Sequence, residues 1–136
     1  MFEFHGWAVI KVSAQADAAA QAMRKEQALA FVRAAVTKAQ DEISLLDVAQ
    51  GGNGLTVLRL HGLRNHRRDG ALNLLRRIAT ELPESYGVLY IHAPEAPAHD
   101  NCFRVFRMAR GRVEEFEDVI LSPRIPTIED DFHHDA

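Results

Sequence analysis

Two tight-turn signals constrain the fold of this 136-residue chain more than any other feature. Gly51-Gly52-Asn53-Gly54 separates the apolar runs 43–49 and 55–61, and Arg110-Gly111 separates 102–109 from 113–120. Connections this short return the chain alongside itself, so each pair of runs is expected to form an antiparallel hairpin. Charge sets the register of the second hairpin. With Arg110-Gly111 as the turn, Arg107 faces Glu114, Val105 faces Phe116 and Arg104 faces Glu117, all favourable cross-strand pairs. A Gly111-Arg112 turn would put Arg107 opposite Phe116.

The remaining elements follow from periodicity. Residues 2–12 alternate, with Phe2, Phe4, Ala8, Ile10 and Val12 on one face and Glu3, His5, Trp7, Val9 and Lys11 on the other. Gly6 interrupts the first face, as at a bulge or a close backbone approach. Leu29, Val32, Val36, Ala39 and Ile43 recur at helical spacing, predicting an alanine-rich helix over 17–42 with Asp17 as its cap. After the polar loop 64–70, Ala71, Leu74, Leu75, Ile78 and Leu82 trace a second helical stripe that Pro83 stops. Residues 86–92 form a fourth strand, a loop with Pro94 and Pro97 follows, and Pro123 and Pro126 keep 122–131 extended.

The order β-α-β-β-α-β-β-β predicts an α+β fold, an antiparallel-rich sheet with two helices packed on one face. Phe4, Ile10, Leu58, Leu60, Leu89, Ile91, Phe103, Val105 and Phe116 are expected under the helices. Trp7, Arg59, His61, Tyr90, His92, Arg104, Phe106 and Glu117 are expected on the opposite, open face. No linker splits the chain, so residues 1–136 are expected to be a single domain ending in an acidic, extended tail over 122–136.

With 47% hydrophobic and 26% charged residues, the composition is that of an ordinary globular protein. Cys102 is the sole cysteine, which excludes an internal disulfide and a cysteine-based zinc finger and fits a reducing compartment. No run of about 18 apolar residues or signal-peptide pattern occurs, so a cytoplasmic protein with no membrane partner is expected. From Arg112 onward two basic residues stand against eight acidic ones, while residues 1–111 carry a net +3.

The histidines and Cys102 lack metal-ligand spacing, so no metal or other cofactor is expected. No nucleophile motif surrounds Cys102, and adjacent carboxylates such as Glu114-Glu115 alternate faces, so no catalytic residues are expected. Six arginines (Arg59, Arg64, Arg67, Arg68, Arg76, Arg77) crowd residues 59–77. Those of the 64–68 loop, with His66, carry the alternative of a small RNA-binding protein or metal-dependent enzyme. The acidic C-terminal part and the lack of a binding motif argue against direct nucleic-acid binding. Trp7 is divided between core residue and interface anchor, its strand parity favouring the latter.

Phe4-His5-Gly6-Trp7, Asn65-His66-Arg67, Ser85-Tyr86-Gly87-Val88-Leu89-Tyr90 and Ala109-Arg110-Gly111 together resemble the immunity protein 7 family, as does the closing run Leu121-Ser122-Pro123-Arg124-Ile125-Pro126-Thr127-Ile128-Glu129-Asp130. The resemblance spans nearly the whole chain and is weakest over the alanine-rich helix. It implies an antitoxin: members are encoded beside toxins of bacterial polymorphic toxin and contact-dependent inhibition systems and are expected to neutralise the cognate toxin domain. Many such toxins are nucleases with basic surfaces, which an acidic segment would suit. The expected toxin-binding residues are Trp7, Arg59, Tyr90, Arg104, Phe106, Glu115, Glu117, Asp130 and Asp131.

Overall fold

A computed structural model describes residues 2–41, 44–64, 67–93 and 101–123. Along the chain the elements are β1 (Phe2–Val9), α1 (Ala18–Ala39), β2 (Ser44–Gln50), β3 (Thr56–Arg64), α2 (Gly70–Glu81), β4 (Tyr86–His92), β5 (Arg104–Ala109) and β6 (Arg112–Glu117). The six strands make one antiparallel sheet in the order β2-β3-β1-β4-β5-β6. The α+β architecture is therefore as the alternation of hairpins and helical stripes predicts.

Local chemistry sets the boundaries. Asp17 caps α1 by accepting a hydrogen bond from the Ala19 N–H at 3.2 Å. Asp118 ends β6: its carboxylate accepts from the Ile120 and Leu121 N–H groups, both at 3.2 Å, turning the chain away from the sheet. The β5–β6 turn is Arg110-Gly111, with positive φ at both residues, and Arg107 faces Glu114, Val105 faces Phe116 and Arg104 faces Glu117 as the charge argument requires.

The core lies between one face of the sheet and the two helices. Phe2, Phe4 and Ala8 of β1, Leu46 of β2, Leu58 and Leu60 of β3, Leu89 and Ile91 of β4, and Phe106 and Met108 of β5 meet Val32 and Val36 of α1 and Leu72, Leu75 and Ile78 of α2. The N-terminal half of α1 is largely exposed, Met23 by 61%, so alanine propensity and the Asp17 cap hold it more than packing does. At the far end of β1 the buried Ser85 hydroxyl accepts from the Lys11 N–H at 2.9 Å, joining the exit of β1 to the start of β4.

One placement is corrected. Phe103, Val105 and Phe116 were expected under the helices and Arg104, Phe106 and Glu117 on the open face, but the structure exchanges the two sets. Phe106 lies opposite Leu89 and is 3% exposed, and Met108 is fully buried. Counted with Phe103 just before β5, each parity of residues 103–108 holds two large apolar groups and one arginine. The parity that buries Phe106 and Met108 puts its arginine, Arg104, at the start of the strand, where it remains partly exposed. The other parity would have driven Arg107 under α2, whose Ala79, with Pro83 just beyond the helix, lies near Gly111 at the turn end of this hairpin. Burying an unpaired guanidinium costs far more than exposing an edge phenylalanine.

Candidate functional site

The open face is assembled by register, because directly opposed residues of antiparallel strands point the same way. Trp7 sits between Arg59 and Val88, His5 between His61 and Tyr90, and Glu3 between Leu63 and His92. Val105 and Arg107 continue these rows on β5, and Phe116 and Glu114 close them on β6. Asp47 extends the Trp7 row on β2.

The face has two aromatic regions. Around Trp7, 43% exposed, the Tyr86 ring stands edge-on at 6.3 Å, and the Lys11 ammonium lies 5.7 Å from the centre of Tyr86. Toward the other end Phe103 is buried, its ring 6.0 Å from Tyr90, 5.9 Å from His92 and 6.4 Å from His5. At the β6 edge the Arg107 guanidinium covers Phe116 at 4.6 Å. These stacked cations turn large apolar surfaces into mixed ones, which suits a face that meets both water and a protein.

Charges on this face come in pairs. Arg59 grips Asp47 with two hydrogen bonds, Nε to Oδ1 at 2.9 Å and Nη2 to Oδ2, and Arg107 Nη2 lies 3.2 Å from Glu114 Oε1. The hydrogen bond from Arg59 holds the Asp47 carboxyl below its ordinary value. His61 is pushed down by burial first and by the neighbouring His5 and Arg59 next, with Asp47 opposing.

Trp7, Arg59, Tyr90, His61 and His92 stand on this face as the sequence predicts, but Trp7, Tyr90 and Phe106, all expected there, do not come together. Trp7 pairs with Tyr86, Tyr90 pairs with Phe103, and Phe106 is core. Arg104, Glu115 and Glu117 belong to the helix-bearing side, where Arg104 Nε donates to Glu115 Oε2 at 2.9 Å. Asp130, Asp131 and His66 lie outside the described residues. Phe103, Phe116 and Tyr86 are the aromatic members that sequence reasoning missed. Charge gave no signal for Phe116, because each face of the hairpin holds an arginine–glutamate pair, Arg107 with Glu114 on one and Arg104 with Glu117 on the other.

The arginine run is distributed over several surfaces. Arg59 lies on the open face, Arg64 pairs with Asp41 and donates to Ser44 Oγ at 3.1 Å, Arg67 pairs with Asp69 at 2.9 Å, and Arg77 stacks on Phe31 at 5.0 Å. Among the described residues, no group of three or more His, Cys, Asp or Glu side chains is arranged to hold a metal ion.

Cys102 sits beside the helix-side acids. Its thiol is pushed up by burial first and by Glu117 next, with Arg104 opposing. A raised thiol carries little reactive thiolate near neutral pH, so Cys102 is expected to alkylate slowly with iodoacetamide at pH 7.5. Glu117→Gln removes one of the causes and should raise that rate by a factor of about two or more, read by mass spectrometry. An unchanged rate would show that Glu117 does not govern the thiol.

A family model described as immunity protein 7 matches residues 1–130. No curated protein matches, and no solved structure does.

Proposed function

The chain belongs to the immunity protein 7 family, and from that premise we propose that it neutralises one cognate toxin domain by binding it stoichiometrically through the open face of the sheet. The observation that carries this reading is the make-up of that face. Trp7, Tyr86 and Phe116 are each exposed by a little over two fifths there, in the company of Arg59, Arg107 and their acidic partners. Aromatic and arginine side chains are the groups enriched in protein interfaces, and tryptophan, tyrosine and arginine supply most binding hot spots.

On this reading Trp7 is the anchor, with Arg59 and Tyr90 beside it. Arg104, Glu115 and Glu117, on the helix-bearing side of the β5–β6 hairpin, and the acidic Asp130 and Asp131 supply charge that steers the approach of the partner. The partner is a toxin domain of a polymorphic toxin or contact-dependent inhibition system, and a nuclease fits because a phosphate-binding surface is basic. The protein acts by occupying the toxin rather than by turnover, in the cytoplasm where a nuclease toxin meets its substrate. No helix of the described residues is long and apolar enough to cross a membrane.

The reading is tested with the toxin domain encoded beside this chain. Co-expression should restore growth to cells making that toxin, and the two purified chains should form a one-to-one complex. Failure of both would remove the proposal. A second expectation separates steering from anchoring. Changing Glu115, Glu117, Asp130 and Asp131 to their amides should slow association with a basic toxin and flatten its salt dependence, since rim charges act through long-range attraction. Stopped-flow rates at several salt concentrations check this; an unchanged salt slope would remove these acids from the steering surface.

A further inference from the structure

Two histidines meet on the open face. His5 of β1 and His61 of β3 are directly opposed, and their Nδ1 atoms lie 3.2 Å apart. Glu3, on the same face two residues before His5, lies with its Oε2 atom 2.8 Å from His5 Nε2. A hydrogen bond donated by Nε2–H to that carboxylate puts the ring hydrogen of neutral His5 on Nε2. His5 Nδ1 is then the acceptor, and His61 Nδ1–H the donor, of the hydrogen bond between the rings, and its proton is the one that a bound metal ion would replace.

We infer that His5 Nδ1 and His61 Nδ1 are a two-nitrogen site for a divalent transition-metal ion of the zinc, nickel and copper class, with Glu3 as the residue that orients His5. The distance carries the first part of the argument. Two imidazole nitrogens bound at about 2.0–2.1 Å to one tetrahedral ion stand about 3.3 Å apart, close to the separation already present. The carboxylate carries the second part. A histidine ligand regularly gives its other ring N–H to a carboxylate, which fixes the tautomer and makes the ligating nitrogen more basic.

The surroundings define the ligand. Asp47 is held by Arg59, and His92 approaches Glu3 with its Nδ1 3.8 Å from Oε1. Two nitrogens leave half of a four-coordinate ion open, and the His5 side chain is 43% exposed, so water or a donor from a bound protein completes the shell. Imidazole ligands suit zinc, nickel and copper, whereas magnesium and calcium take oxygen.

The experiment is calorimetric titration of the full, untagged chain at pH 7.5 with zinc or nickel chloride, alongside magnesium chloride. One equivalent of zinc or nickel should bind and magnesium should not. His5→Ala and His61→Ala should each weaken binding at least about tenfold, and Glu3→Gln about tenfold. Changing His133 and His134 to alanine should leave it unchanged. Nickel should also broaden the His5 and His61 ring resonances of the unaltered protein before those of any other histidine, a measurement that needs no variant to fold. Folded His5→Ala and His61→Ala variants that keep the original affinity, or nickel broadening another histidine first, would overturn the site. Glu3→Gln binding as tightly as the original would overturn the orienting role.

Discussion

Gly87→Val is expected to leave little folded protein. A β-carbon at position 87 would stand 2.2 Å from the Trp7 carbonyl oxygen and 2.6 Å from Ala8 Cα. These are backbone atoms of the paired strand, so no change of rotamer relieves the contact. Gly6 is in the reciprocal position, its added carbon 2.4 Å from the Val88 carbonyl oxygen and 2.9 Å from Leu89 Cα. The strands β1 and β4 are the central neighbours of the sheet, and forcing them apart divides it in two. Overpacking against side chains costs about 1–3 kcal/mol; against backbone the loss should be about 3 kcal/mol or more, a large part of the ~5–15 kcal/mol that holds a typical domain. Urea unfolding checks this, with Gly52→Ala as the control, because nothing lies within 4 Å of a β-carbon there. A Gly87→Val midpoint close to that of the control would show that β1 and β4 do not approach as described.

Phe106→Ala is expected to be the second severe change, and its effect should fall on stability. Phe106 is 3% exposed and packs in the same cluster as Leu89, Met108 and the helices. Truncating a buried phenylalanine costs about 3–5 kcal/mol through lost transfer energy and the cavity left behind. Affinity for the toxin, measured per folded molecule, should stay within about twofold of the original, because a side chain beneath the sheet has no surface to offer a partner. Equilibrium unfolding and a binding titration corrected for folded fraction separate the two effects. A folded variant that binds poorly would return Phe106 to the interface.

The contrast between Phe106 and Trp7 marks how far the sequence can be read. Trp7 was placed correctly because its strand has one apolar face (Phe2, Phe4, Ala8) and one mixed face (Glu3, His5, Trp7). The run that enters β5 has no such asymmetry: Phe103, just before the strand, and Val105 compete with Phe106 and Met108, and the β6 pattern does not break the tie. The hairpin register was legible from charge pairing, since it depends on residues close in sequence, but it fixes which residues are opposed and leaves open which side faces the helices. That choice depends on where α2 crosses the sheet. The His5–His61 contact was likewise out of reach, because it needs the register between strands 56 residues apart. The apolar run Val119-Ile120-Leu121 extends the strand pattern beyond Glu117, yet the Asp118 carboxylate takes the N–H groups a longer strand would have used, and Val119 and Ile120 remain 90% and 85% exposed. The motifs behind the family resemblance divide in the same way. Phe4, Gly6, Ser85 and Gly87 build the junction of β1 with β4, whereas His5, Trp7 and Tyr90 project from its open side.

Trp7→Ala decides whether the open face is the toxin-binding surface. Trp7 is 43% exposed and rests edge-on against Tyr86, so its loss opens no enclosed cavity. The stability of the variant, from chemical unfolding, should fall by no more than about 1 kcal/mol. Its affinity for the cognate toxin, from a titration on the same preparation, should weaken by about 2 kcal/mol or more, roughly thirtyfold, as for a hot-spot tryptophan. A loss of about 3–5 kcal/mol in stability, the cost of emptying a core site, with affinity per folded molecule unchanged, would contradict the account.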